Sequence, residues 1–273
     1  MVAVNIVIGQ GTALGWLNPV VIILAVVFVL GAVVFFRIES GNSNAFVDLR
    51  LFNNKTYAGA TLSNFLLNGA AGTLLVSLSL VQQAAGLSSL QSGLLTIGYL
   101  VAILSTIRVG EKLLQRMGAR KPMLMGCAIT GAGILLTTFT FLLAGQYMIV
   151  AFVGFTLFGV GLGLYATPST DAGLSNVPND KAGAASGIYK MASSLGAAFG
   201  VAISAALFTS LSGLNGDFGP LSDLFLGRTD NVSIRFAAAV ALLFNVMMVI
   251  IAIIAIAITV PRDDPRTHAL RAT

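Results

Sequence analysis

The chain has 273 residues, of which 56% are hydrophobic and only 9% charged, with a net charge of +5. An ordinary soluble domain carries about 25% charged residues, so this composition excludes a water-soluble globular enzyme. The basic balance does not point to nucleic acid either, because the Lys and Arg residues fall in short segments between apolar runs, without a patch of interleaved aromatics.

The absence of charge is organised along the chain. No Asp, Glu, Lys, Arg or His occurs in residues 1–36, 56–107, 122–170, 191–216 or 236–261. A bilayer core takes about 20 apolar residues per spanning helix. Runs of 26 residues therefore hold one span, and runs of 49 and 52 hold two joined by a tight turn. The prediction is an all-α polytopic membrane protein with seven transmembrane helices, near 19–36, 57–81, 89–108, 122–143, 147–168, 184–210 and 235–260. Ahead of them, Met1–Gly9 is apolar but too short to cross and has no basic n-region, so it reads as an N-terminal helix stub and not as a signal peptide. On this reading the chain is expected to be a fragment of a longer protein. The 30 glycines suit membrane helices, where small residues allow close approach. The single cysteine, Cys127, allows no intrachain disulfide, and its apolar neighbours predict a buried, unreactive thiol.

The connections carry their own signals. Gln82–Gly86 and Ala144–Gln146 are short and uncharged, whereas Arg37–Lys55, Glu111–Lys121 and Asp171–Lys181 are charged. Placing these three and the tail residues Arg262, Arg266 and Arg271 on one side leaves only Arg228 in the long loop opposite. The positive-inside rule makes the first side, and with it the C-terminus, cytoplasmic.

Phe46-Val47-Asp48-Leu49-Arg50-Leu51-Phe52-Asn53-Asn54-Lys55, followed by Tyr57–Thr61 and Ser63-Asn64-Phe65-Leu66-Leu67-Asn68-Gly69, resembles the entry to the C-terminal six-helix half of major facilitator proteins in the fourteen-helix drug:proton antiporter family. Gly161–Asp171 and Ala184–Ala192 continue the similarity, which covers nearly the whole chain and is nearest to bacterial pumps for fluoroquinolones and quaternary ammonium compounds. The resemblance implies that residues 1–36 hold a partial and a complete linker helix, 37–56 a cytoplasmic loop, 57–260 the six-helix C-terminal bundle and 261–273 a cytoplasmic tail. The first six helices would be absent.

Superfamily members carry a Gly…Asp-Arg-x-Gly-Arg-Lys motif between the second and third helices of each half. Gly110, Arg116, Gly118, Arg120 and Lys121 stand at that position here; the resemblance makes this the cytoplasmic gating loop, and a positive-inside anchor is the alternative for its Lys and Arg residues. Gln115 replaces the Asp, so the charge–dipole contact that a carboxylate makes at a helix N-terminus is missing from this copy, and Ala119 displaces the basic pair. Glycine at 118 suits the positive φ of a tight turn.

Polar groups inside spans turn toward the bundle or a cavity. Asn64 and Asn68, four apart, share a helix face with Thr61 and Gly72; the resemblance makes them drug contacts, and interhelical bonding is the alternative. Lys190 lies about 9 Å into its helix at 1.5 Å per residue, near Ser193, and either snorkels or serves a cavity. Tyr99 and Tyr165 can stack on a planar cation or act as packing groups. Gly159, Gly161 and Gly163, with Pro168, either bend their helix or allow close packing, as do Gly154 and the pair Gly196 and Gly200. Asn245 is expected to make a local packing bond at the bundle periphery. Asp171 either pairs with Lys190 or Arg116 across the bundle or is an exposed loop carboxylate.

None of the ten acidic residues lies in the middle of a predicted span, the only histidine is His268 in the tail, and no metal cluster, nucleophile with a base or phosphate-cradling loop occurs. The chain is therefore expected to be a transporter, not an enzyme, and to need no cofactor. The function expected is proton-coupled multidrug efflux at the plasma membrane, by a C-terminal portion unable to transport alone. Its partners would be the lipid bilayer, small amphipathic or cationic drugs and a missing N-terminal six-helix half, with no nucleic acid. A noncatalytic membrane subunit or a truncated, nonfunctional product is the alternative.

Overall fold

Backbone N–H and C=O groups inside a bilayer must find their hydrogen bonds within the protein, which selects helices or closed barrels. The computed structural model describes residues 18–40, 49–175, 177–213, 224–226 and 231–262, and these contain helices and no strand. In chain order they are α1 (Pro19–Ser40), α2 (Lys55–Gly69), α3 (Gly72–Ala85), α4 (Ser89–Leu94), α5 (Ile97–Met117), α6 (Arg120–Thr137), α7 (Ala144–Leu174), α8 (Ala182–Ser212) and α9 (Val232–Thr259). Short 3₁₀ turns at Leu49–Asn53 and Asn179–Lys181 precede α2 and α8. The helix stub at 1–9, the charged segment 41–48, most of the loop 212–233 and the tail from residue 263 lie outside the described residues.

Among the described residues, five segments are long and apolar enough to cross a bilayer: Lys55–Ala85, Ser89–Met117, Ala144–Leu174, Asn179–Ser212 and Val232–Thr259. Two expected spans are broken. The segment expected at 57–81 divides after Gly69, where Ala71, Thr73 and Leu74 donate to carbonyls three residues back, as in a 3₁₀ turn. Two glycines, Gly69 and Gly72, flank this step, and glycine is the weakest helix former after proline. The segment expected at 89–108 divides at Leu95–Thr96, with Thr96 Oγ1 donating to the Gly93 carbonyl at 2.7 Å.

The expected gating loop at 111–121 needs a larger correction. Gly110, Glu111, Lys112 and Arg116 lie on α5 and Arg120 and Lys121 on α6, so the connection shrinks to Gly118 and Ala119. Gly118 adopts φ 74°. Glu, Lys, Gln and Arg are good helix formers, so charge at this boundary marks the exit from the apolar layer and not the end of the helix. For the same reason α1 runs past Arg37, and α7 continues through Pro168 to Leu174.

Helix α7 lies between α5 and α6, α8 packs on α2, and α9 joins α2 and α8 to α6. On two of these seams the helices meet backbone to backbone. A Cβ at Gly133 would meet the Gly154 carbonyl at 2.6 Å, and one at Gly126 the Gly161 carbonyl at 2.7 Å, so α6 and α7 approach through facing glycines. On the other seam, Gly196 faces the Phe65 carbonyl and Gly200 the Gly69 carbonyl. Leu67, Met123, Cys127, Phe158, Val249 and Ile256 fill the core near the end that carries Arg116 and Arg120, here called the basic end. Val76, Leu80, Phe155 and Leu242 fill the core at the far end. Cys127 is buried as expected. Helix α1 exposes Val20, Ile23, Val27, Leu30 and Val34, an apolar surface for lipid.

Gly126→Ala should lower the thermal stability of the purified protein by about 1–3 kcal/mol through forced separation of α6 and α7. Gly31→Ala, where a Cβ meets nothing within 4 Å, should leave it unchanged. Equal melting curves for the two variants would refute the close-approach account.

Candidate functional site

Asn, Ser and Tyr side chains cost free energy in a bilayer unless they bond across helices. Near the basic end such residues from α2, α7 and α8 meet. Asn54 begins α2 as an N-cap, accepting from Thr56 N and Tyr57 N through its Oδ1. One turn on, the Tyr57 hydroxyl donates to the Ala185 carbonyl of α8 at 3.0 Å. Asn64 is buried and its Nδ2 donates to the Tyr189 carbonyl of α8 at 3.0 Å. Asn68 is half-buried, and its Nδ2 donates to both the backbone carbonyl and Oδ1 of Asn64, each at 2.8 Å. The face shared by Thr61, Asn64, Asn68 and Gly72 thus lies against α8, whose Ser204 and Gly200 a Cβ on Gly72 would strike.

Two tyrosine–serine pairs complete the cluster. The Tyr165 hydroxyl shares a 2.7 Å bond with Ser63 Oγ, which joins α7 to α2, and the Tyr189 hydroxyl shares one of the same length with Ser169 Oγ, which joins α8 to α7. Tyr165, Tyr189, Ser63 and Ser169 are all buried. Sequence reasoning singled out Asn64, Asn68 and Tyr165 and missed Ser63 and Ser169 as partners. The available signals were the 165/169 spacing, which stacks the two side chains on one helix face, and the Ser63-Asn64 adjacency.

The remaining expected residues fall elsewhere. Tyr99 stacks on Phe158 across the α5–α7 seam, with ring centroids 5.4 Å apart. Lys190 is exposed on α8 beside the buried Tyr189, and Ser193 is half-buried one turn later. Asp171 accepts from Ser175 Oγ at 2.7 Å, on its own helix. Of the two readings of Asp171, the pairing with Lys190 or Arg116 does not form. Gly110 and Gly163, assigned to different roles, meet: a Cβ at Gly110 would lie 2.9 Å from the Gly163 carbonyl. Gly159 presses on the Tyr99 backbone and Gly161 on Gly126 and Thr130, while Pro168 is buried within an unbroken α7. Asn245 is fully buried and bonds to Ser204 Oγ of α8 and the Ala241 carbonyl, a packing bond inside the bundle and not at its periphery.

Two arginines bind the antiparallel pair α6 and α9. Arg120, in the first turn of α6, donates from Nη1 to the Val260 carbonyl at 2.9 Å and from Nη2 to the Ala257 carbonyl at 2.7 Å, so it caps the end of α9. Arg235, in the first turn of α9, returns the contact at the far end. Its Nε donates to the Thr140 carbonyl, Nη2 to Leu142 and Nη1 to Leu226, at 2.7–2.8 Å. Thr140 Oγ1 donates back to the Arg235 carbonyl, and the guanidinium lies 5.2 Å from the Phe225 ring centroid. Arg235 was not foreseen; its signal was a lone cation at the start of an apolar helix. A cavity of about 260 Å³ opens beside it, lined by Leu80, Val81, Leu142, Tyr147, Leu226 and Arg235. None of Asn64, Asn68, Tyr165 or Lys190 lines it.

Comparison with known proteins gives a consistent result. The family model described as Major Facilitator Superfamily matches residues 2–201 and 61–272. The chain is 48% identical over 227 residues to the Quinolone resistance protein NorB of Staphylococcus aureus strain MRSA252, covering 83% of this chain and 49% of that protein. It is 43% identical over 264 residues to the protein of the same name from strain COL, covering 97% of this chain and 53% of the relative. The chain spans about half the length of the curated relatives it matches.

Arg235→Leu should destabilise the protein by about 1–3 kcal/mol for each backbone carbonyl left buried without its donor. Arg235→Lys should recover only part of this, since an ammonium cannot reproduce the three-way fork. Tyr165→Phe, which removes one interhelical bond, should cost about 0.6 kcal/mol. Thermal melts of the three variants check the order, and a leucine variant as stable as the unaltered protein would remove the capping role.

Proposed function

Because the chain belongs to the major facilitator superfamily, we propose that it forms one six-helix half of a multidrug efflux transporter, which closes against a second six-helix half around a site near the bilayer midplane. The observation that carries this reading is similarity over nearly the whole chain, and over half of theirs, to proteins named for quinolone resistance. The membrane-embedded, polytopic and non-enzymatic character of the chain agrees with it.

The substrates proposed are small amphipathic drugs, cationic or zwitterionic. Asn68 is the residue best placed to meet them: it is half-buried, its amide N–H is spent on Asn64, and its Oδ1 remains an acceptor. The helix breaks immediately after it, between Gly69 and Gly72, and broken helices border the sites of alternating-access transporters. Asn64 and the Ser63–Tyr165 pair hold Asn68's helix to α8 and α7, and the Ser169–Tyr189 pair holds those two helices to each other, while Tyr99, Lys190 and Ser193 flank the pathway. The Gly159–Gly163 stretch and Pro168 would let α7 flex, and Gly110 and Gly118, with Arg116, Arg120 and Lys121, would let the basic end gate. Proton coupling needs a titratable group at membrane depth. No Asp or Glu lies in the middle of a predicted span of this chain, so the coupling carboxylate is assigned to the other half.

Coexpression with the N-terminal half of a close relative tests the function. The pair should extrude ethidium or norfloxacin in a proton-gradient-dependent manner, and residues 1–273 alone should not. In the restored transporter, Asn68→Leu should shift resistance unequally among cationic and zwitterionic drugs at unchanged abundance, because one lost contact costs different substrates differently. A uniform loss that tracks abundance would assign Asn68 to packing alone.

The basic end, with the C-terminus, is proposed to face the cytoplasm. Lys121→Cys should resist an impermeant maleimide in intact cells and react after permeabilisation, whereas Leu224→Cys, exposed at the far end, should react from outside. The reverse pattern inverts the topology.

A further inference from the structure

The transport reading leaves one charged surface without a partner. Arg108, Lys112 and Arg116 are all exposed on α5. At about 100° per residue, steps of four advance about 40° around the axis. The three cations therefore form a ladder within an arc of about 80°, and the eight intervening steps span about 12 Å. Toward the membrane interior Ile97, Val101 and Leu104 lie within about 40° of Arg108 around the axis and Leu100 about 80° from it, all of them exposed, Leu104 at 73%. Glu111 sits on one flank, about 60° from Arg108, and leaves the ladder net positive. Among the described residues, none forms a hydrogen bond or ion pair with the side chain of Arg108, Lys112 or Arg116. The Ser89–Met117 segment is also the least buried of the five candidate spans.

An apolar strip ending in a ladder of cations is complementary to one kind of molecule present at that depth, a phospholipid with an anionic headgroup. We infer that this face of α5 is a binding site for an anionic phospholipid, with acyl chain along Ile97, Val101 and Leu104 and phosphate held by Arg108, Lys112 and Arg116. A zwitterionic lipid offers the same chain but no net charge to the ladder. Arginine contributes most, because its planar fork can engage two phosphate oxygens at once.

Native mass spectrometry of the full chain in mild detergent, titrated with phosphatidylglycerol or phosphatidylcholine of identical chains, tests the site. The unaltered protein should retain phosphatidylglycerol in preference. Lys112→Gln should reduce that preference about 5-fold, the factor expected for one cation near a membrane surface. Arg108→Gln, Lys112→Gln and Arg116→Gln together should abolish it. A control with the same charge loss elsewhere, Lys55→Gln, Lys181→Gln and Arg262→Gln, should keep it. Should the triple variant not fold, salt on the unaltered protein serves instead, since at about 1 M the Debye length falls to about 3 Å and an exposed phosphate contact is screened. Equal retention of the two lipids, an unchanged preference in the α5 variants or an equal loss in the control overturns the site. So does protection of Leu104→Cys from a bilayer-soluble maleimide only when the second half is coexpressed, which would seat protein and not lipid on this face.

Discussion

Lipid tails solvate apolar side chains as well as another helix does, so hydrophobic burial cannot hold this bundle together. What holds it is how closely the backbones can approach. Where Gly133 faces Gly154 and Gly126 faces Gly161, α6 and α7 touch main chain to main chain, and dispersion over such a contact gains on many atom pairs at once. The α2–α8 seam repeats the device with Gly69, Gly196 and Gly200. A methyl group at these positions would separate the helices and weaken every contact built across the seam.

The polar cluster depends on that approach. Asn64 reaches the Tyr189 carbonyl, and Tyr57 the Ala185 carbonyl, because Gly196 has let α8 settle against Phe65. Each bond is modest, but they converge from α2, α7 and α8 on one region below a helix break. The same segment therefore combines rigid fastening up to Asn64 with interrupted backbone pairing after Asn68. Under the proposed function, that juxtaposition sets the asparagine pair at the boundary between scaffold and pathway.

Much of this was legible in the sequence for a simple physical reason: a bilayer tolerates few charges, so helices announce themselves as charge-free runs. The spans, the inward face of Asn64 and Asn68, the buried Cys127 and the turn at Gly118 could all be read. The helix ends could not, because Glu111, Lys112 and Arg116 favour helix as strongly as they disfavour lipid, so charge marks the membrane boundary and not the end of a helix. The break between Gly69 and Gly72 was hidden inside an apolar run whose hydropathy is continuous. The partners of Tyr165 and Tyr189 were hidden because serine bonds by position in three dimensions. Arg235 looked like a boundary residue, and only the fold shows three carbonyls converging on its guanidinium.

The reciprocal arginines also constrain the order in which the chain can assemble. Arg235 binds a carbonyl 95 residues earlier in the sequence, and Arg120 one 140 residues later. Helix α6 thus enters the membrane with the carbonyls beyond its end still lacking the donor that α9 will bring, and its own first-turn guanidinium has no helix end to cap. Both deficits are removed in one event, when α9 is inserted antiparallel beside it. Closure of the clamp therefore requires α9 in the antiparallel orientation, and without α9 both the Arg120 guanidinium and the Thr140 and Leu142 carbonyls lack these partners.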